Sequence, residues 1–225
     1  DQVISAVLET QAANGMTTDA HARLMLTRGV KTRPFQHPKL SQQGPTMVII
    51  MEHSRPNMPR PIRLATVPHL RGLPMTQDPK LNSHSKLNCI FGCIQATKAG
   101  ADEGLMLDPH GFVATCNSTH FFIVREGEVW TSSGDYCLDG ITRRNVINIC
   151  KANGIPVFEK NFSLMQVYGA DEAFVTGTFA GLTPVFEVDG RSLTHTRSGP
   201  MVERLQALYR ALVVTESSRS EDASA

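Results

Sequence analysis

Val3, Ile4, Val7, Leu8 and Ala12 recur at helical spacing and Asn14-Gly15 follows as a stop, so the pattern predicts an opening helix over 3–14. Two short apolar runs rich in strand formers come next, Arg23–Val30 and Met47–Met51, with a Pro- and Gln-rich loop between them. The stretch 53–61, HSRPNMPRP, carries three prolines and two arginines; it reads as an extended linker. Beyond it the periodicity predicts a strand at 62–67 and a helix over 88–99, with Ile90, Cys93 and Ile94 on one face, continued by Thr97, and Gly100 as its stop. Short strands at 105–107 and 112–114 flank the turn Asp108-Pro109-His110-Gly111. A hairpin pairs 121–124 with 128–131 around Glu126-Gly127.

The remaining pattern predicts a helix over 142–153 closed by Gly154, a strand at 156–158 and a short capped helix over 163–168. Strands at 173–175 and 185–188 follow, then an amphipathic helix over 200–212 with Leu205, Leu208, Tyr209 and Leu212 inward. The polar end TESSRSEDASA reads as disordered. Strands interleaved with a few helices make an α+β chain. It reads as a partial small domain (1–52), the linker (53–61), a large domain (62–214) and a tail (215–225).

Composition narrows the function classes. Apolar residues make up 41% of the 225 and charged residues 19%, enough for a sizeable core. A formal net charge of +1 spread along the chain leaves no footprint for a polyanion, which speaks against nucleic-acid binding. The apolar runs are too short to span a bilayer. Five cysteines without a CxxC pair suggest reduced thiols and a cytoplasmic location rather than a disulfide framework. The eight histidines show no HxxxH or HxH spacing, so no metal site is expected. No signal peptide is visible, and the chain opens without Met, as a fragment would.

Two segments have the form of anion cradles, in which small residues precede a helix whose free N–H groups and dipole face an incoming phosphate. They are Gly140-Ile141-Thr142-Arg143, and Thr176-Gly177-Thr178 ahead of 179–182. Taken singly, such motifs are more often ordinary caps. Cys89 and Cys93, one helical turn apart, read as small core residues, and Asp171-Glu172 as a turn or helix-end pair.

Together with Lys86-Leu87-Asn88, the block 100–108 (GADEGLMLD), His110-Gly111-Phe112-Val113, Gly169–Phe174 and Leu182-Thr183-Pro184-Val185, these motifs fall in order over 62–212. In that order and spacing the chain resembles the class IV (fold type IV) aminotransferases, which use pyridoxal phosphate and include branched-chain and D-amino-acid aminotransferases and aminodeoxychorismate lyases. The resemblance implies a two-domain fold type IV enzyme with an incomplete small domain and a larger, barrel-like mixed α/β domain. Ile141, Thr142, Gly177 and Thr178 would hold the cofactor phosphate. The family's arginine for that phosphate belongs to a part with no counterpart here.

The family lysine stands three or four residues before the helix-opening Asn, where this chain has Ser85 and His84; the resemblance assigns its role to Lys86, with a small local shift. Lys86 would move the substrate's Cα proton as base and acid. Thr115 stands where the family has a glutamate facing the pyridine nitrogen, which would weaken the ring as an electron sink, and Cys89 replaces a tyrosine. Arg23, Arg28 and Arg33 would take the substrate carboxylate; His84 and His120 would lie near the cofactor cleft. The implied activity is amino transfer between an amino acid, branched-chain first, and a 2-oxo acid such as 2-oxoglutarate, in a homodimer. D-amino-acid transfer, lyase action, or a non-catalytic binding or dimerisation module are the alternatives.

Overall fold

The computed structural model describes residues 2–54, 60–193 and 198–222; most of the expected linker, 55–59, lies outside them. The chain divides into two compact units, Asp1–Asn57 and Met58–Ala225.

In the first unit, helix α1 (Gln2–Ala13) precedes the antiparallel ribbon of β1 (Ala20–Thr27) and β2 (Thr46–His53), registered so that Arg23 faces Ile50 and Thr27 faces Thr46. Along β2 the residues Met47, Ile49 and Met51 are half-buried while Val48 and Ile50 are exposed. Two strands and one helix bury little apolar surface between them.

The second unit runs β3 (Ile62–Thr66), α2 (Pro74–Gln77), α3 (Leu87–Lys98), β4 (Glu103–Leu107), β5 (Val113–Cys116), β6 (His120–Arg125), β7 (Glu128–Thr131), α4 (Ile141–Ala152), β8 (Val157–Glu159), α5 (Leu164–Tyr168), β9 (Glu172–Gly177), β10 (Gly181–Val188), β11 (Arg191–Ser192) and α6 (Pro200–Asp222). The strands form one mixed sheet in the order β5-β4-β3-β10-β9-β6-β7-β8, with β11 on β10. The parallel pairs β3–β4 and β7–β8 need crossovers, which α3 and α4 supply. The sheet curls until Val113 of the β5 edge donates its N–H to Phe162 O, just beyond β8, at 2.9 Å. This is the barrel-like arrangement that the resemblance implies.

Strand β6 explains why both faces are covered. Phe121 and Ile123 enter a core with Leu64, Leu105, Val113, Phe162 and Val185. Phe122 and Val124 enter a second core beneath α4 and α6, with Val146, Ile147, Cys150 and Leu205. A continuous apolar run is what a strand buried on both faces requires. Phe122 stacks on its cross-strand partner Phe174 with centroids 4.8 Å apart.

Three expectations are corrected. Cys93, expected as a small core residue, lies exposed with Ile90 and Ile94, and the face of α3 that packs on the sheet is Gly92 and Ala96. The reason is backbone proximity: a Cβ on Gly104 of β4 would stand 3.0 Å from Gly92 O, so only small residues fit between helix and sheet. Thr176-Gly177-Thr178 does not lead into a helix; it ends β9 and turns directly into β10, with Gly177 paired to Gly181. The C-terminal segment is helical to Asp222 rather than irregular from 215. No Gly or Pro interrupts it, and the Thr215 and Ser218 hydroxyls bond back to Ala211 O and Val214 O.

Glu172, at the start of β9, is a helix-end partner. Its buried carboxylate accepts from Met201 N (3.0 Å) and Val202 N (2.8 Å) in the first turn of α6. A Cβ on Gly199 would collide with it at 2.1 Å, which accounts for the glycine. Asp171 instead accepts from Glu126 N at the rim of the β6–β7 hairpin. Glu172→Ala is therefore expected to lower stability by about 2–3 kcal/mol in urea titrations, and Asp171→Ala by well under half of that.

Candidate active site

A cavity of about 840 Å³ opens in the second unit between the start of α3, the 71–85 segment and the 115–120 segment. Arg71, Lys86, Cys89, Thr115, Thr119 and His120 line it. Lys86 immediately precedes α3, and its Nζ donates to Asn82 Oδ1 at 3.0 Å within the same wall. Asn88 pins the start of the helix by donating to Leu70 O at 2.9 Å. Thr115, buried near the end of β5, donates its hydroxyl to Thr119 O at 2.8 Å. Its proton is thus committed to the protein, and its oxygen lone pairs are the part it offers the cavity.

The 117–119 loop is held from behind. Asn117 exchanges two hydrogen bonds with the backbone of Gly104. Glu103 accepts from the hydroxyls of Ser118 and Thr119, the latter at 2.5 Å. Burial raises the Glu103 carboxyl above its usual range despite those hydroxyls, and burial also pushes the Cys116 thiol well up. Cys116 is a packed, unreactive thiol.

Behind the far wall stands the first of the two sequence-identified cradles. Gly140 caps α4, and a Cβ there would stand 2.3 Å from the His120 ring. The N–H groups of Ile141, Thr142 and Arg143 have no acceptor among the described residues. The Thr176 hydroxyl is buried without a partner, on the strand position directly opposite His120. The second cradle approaches the same wall, since a Cβ on Gly177 would sit 3.4 Å from Thr119 Cγ2. Three free helix-end amides, an orphan hydroxyl and a glycine turn are the donor set a phosphate takes. The residues present therefore fit a phosphate-bearing group beside His120 and Thr119.

The sequence-predicted residues divide into three groups. Lys86 and Thr115 face the cavity. Ile141, Thr142, Gly177 and Thr178 are not in its lining; Gly177 packs against Thr119 and Gly140, just before Ile141, against His120, both of which are; Thr142 is buried, and Ile141 and Thr178 are exposed. Arg23, Arg28 and Arg33 are exposed on the first unit. His120 lines the cavity and His84 does not. Arg71 and Thr119 carried no pattern of their own: a lone Arg among apolar neighbours and a Thr in a short inter-strand loop become informative only once the chain is folded. Among the described residues no three His, Cys, Asp or Glu side chains gather as a metal would need.

The sequence matches the family description Amino-transferase class IV over residues 1–188. The chain belongs to the class IV aminotransferases. The branched-chain-amino-acid aminotransferase-like protein 2 of Arabidopsis thaliana is 35% identical over 214 residues, covering 94% of this chain and 38% of that protein. The chain thus spans well under half the length of that plant class IV relative. Among solved structures, the branched-chain aminotransferase of Thermoproteus uzoniensis with norvaline superposes with a TM-score of 0.84 at 31% identity, over 95% of this chain and 71% of that one. The T.th. branched-chain amino acid aminotransferase complexed with N-(5'-phosphopyridoxyl)-L-glutamate gives 0.82 at 30% identity, over 91% and 67%. These class IV structures place the fold of this chain beyond its sequence pattern.

His120 is the titratable group this geometry perturbs most usefully. Burial lowers its pKa from 6.5, outweighing the hydrogen bond to Leu138 O (2.6 Å), and the charges of Arg143 and Arg71 lower it further. The folded state thus holds His120 neutral, and its contribution to stability is lost as pH falls below 6.5. Urea midpoints measured from pH 7.5 to 5 are expected to fall in the wild type and to fall less in His120→Gln.

Proposed function

We propose that the chain transfers an amino group between an amino acid and a 2-oxo acid, with pyridoxal phosphate at the cavity that Lys86 and Thr115 line. The observation that carries this reading is that Lys86 and Thr115 line one cavity with His120 and Thr119, against which Gly140 and Gly177 of the two cradles pack. The similarity to a relative complexed with a phosphopyridoxyl compound supports the cofactor. Leu81, Ile90 and Leu138 in the cavity wall suit a branched aliphatic side chain, in keeping with the names of the relatives. Five unpaired thiols suit a reducing compartment such as the cytoplasm.

When bound, pyridoxal phosphate supplies an aldehyde that condenses with amines and a ring that accepts the electron pair released at Cα. The amides of Ile141 and Thr142, the Thr142 and Thr178 hydroxyls and Gly177 would hold the phosphate. Lys86 Nζ would take the proton from the substrate Cα as base and deliver it as acid to the cofactor's former aldehyde carbon rather than back to Cα. Thr115 would accept a hydrogen bond from a protonated ring nitrogen, and as a neutral group it would stabilise that cation less than a carboxylate, leaving the ring a weaker electron sink. Neutral His120 backs the phosphate wall without adding charge.

Absorbance titration with pyridoxal phosphate followed by borohydride tests this directly. The wild type is expected to show a long-wavelength band that borohydride fixes covalently, and Lys86→Ala to show neither, with amino transfer reduced about 10²–10⁴-fold. No band in the wild type would leave the non-catalytic reading in its place. A panel of L- and D-amino acids with 2-oxoglutarate separates branched-chain from D-amino-acid transfer.

A second copy of the chain is the partner proposed for α3. Leu87, Ile90, Phe91 and Ile94 form an exposed stripe at i, i+3, i+4 and i+7. Sedimentation of the Leu87→Asp, Ile94→Asp double variant, which leaves the cavity wall intact, is expected to give half the mass of the wild type; an unchanged mass would rule that face out.

A further inference from the structure

We infer that Arg71 binds the ligand's carboxylate in the cavity. This extends the reading above and rests on it for the identity of the ligand. Arg71 is half-buried on the segment after β3, with its backbone N–H donating to Leu107 O at 2.8 Å. Its Nε donates to Tyr136 O at 3.0 Å and one terminal nitrogen contacts Cys89 Sγ at 3.0 Å. Two of its three nitrogens are thereby fixed and the other has no acceptor among the described residues. No carboxylate pairs with it among the described residues. The acid in the cavity lining, Asp78, turns an oxygen to Lys80 N at 2.9 Å in its own loop. A guanidinium oriented by neutral groups and left without an anion at a cavity wall is built for an oxyanion from outside.

Position favours a carboxylate over the phosphate. The free amides and orphan hydroxyl stand behind His120, whereas Arg71 is anchored to Cys89, three residues from Lys86 and on the same side of α3. A substrate's carboxylate lies one bond from the Cα whose proton Lys86 would take. Arg71 and Lys86 line the same cavity. The exposed arginines of the first unit are not needed for this contact.

The test is calorimetric titration of 4-methylvaleric acid into the cofactor-loaded chain, beside titration of inorganic phosphate into the cofactor-free chain. Arg71→Gln is expected to weaken 4-methylvaleric acid about tenfold or more and Arg71→Lys by less, with phosphate affinity and thermal midpoint unchanged. Carboxylate affinity within about twofold of wild type in both variants would overturn the assignment, as would a loss confined to phosphate. Repeating the 4-methylvaleric acid titration without cofactor keeps the two readings separable. A chain that takes up no pyridoxal phosphate but loses carboxylate affinity on Arg71→Gln would refute the proposed chemistry and retain the Arg71 site.

Discussion

The contact of the His120 ring with the bare backbone of Gly140 is the constraint on which the site depends. Any side chain at 140 would overlap the ring, so the start of α4 can come this close to the cavity wall only as glycine. The contact brings three unbonded amides next to His120, which lines the same cavity as Lys86. The same device recurs at α3, where Gly92 and Gly104 let the lysine-bearing helix settle directly on β4. Both crossovers of the parallel strand pairs are thus seated by missing side chains, and each delivers its N-terminal end to the site.

Charge in the cavity is arranged with little waste. Arg71 and Lys86 are the cations of the wall, and His120, kept neutral by burial, adds none. Glu103 spends its oxygens on two loop hydroxyls, so it stiffens the 117–119 turn rather than quenching the site. A positive, partly enclosed pocket favours doubly anionic small molecules, such as a cofactor phosphate together with a substrate carboxylate. Replacing a carboxylate by Thr115 at the base of such a pocket leaves its positive potential less compensated.

Much of this was legible in the sequence because it depends on local rules. The run Phe121–Val124 with Glu126-Gly127 specified a hairpin, and Gly140 specified the start of α4, since turn and cap chemistry act over a few residues. The stripe on α3 was visible but its direction was not, because periodicity marks an apolar face without saying whether a sheet or another molecule covers it. Thr176-Gly177-Thr178 carried the composition of a helix cap, yet the pairing of Gly177 with Gly181 is a long-range property of the sheet. Arg71 and Thr176 owe their interest to what their neighbours leave unbonded, which no spacing encodes.

The most direct measurement is a crystal structure of the chain after uptake of pyridoxal phosphate and borohydride reduction. The account predicts continuous density from Lys86 Nζ into the cofactor, with the phosphate against the amides of Ile141 and Thr142 and beside Gly177 and Thr178. Attachment to Lys80 or another lysine, or a phosphate lodged away from the start of α4, would contradict it.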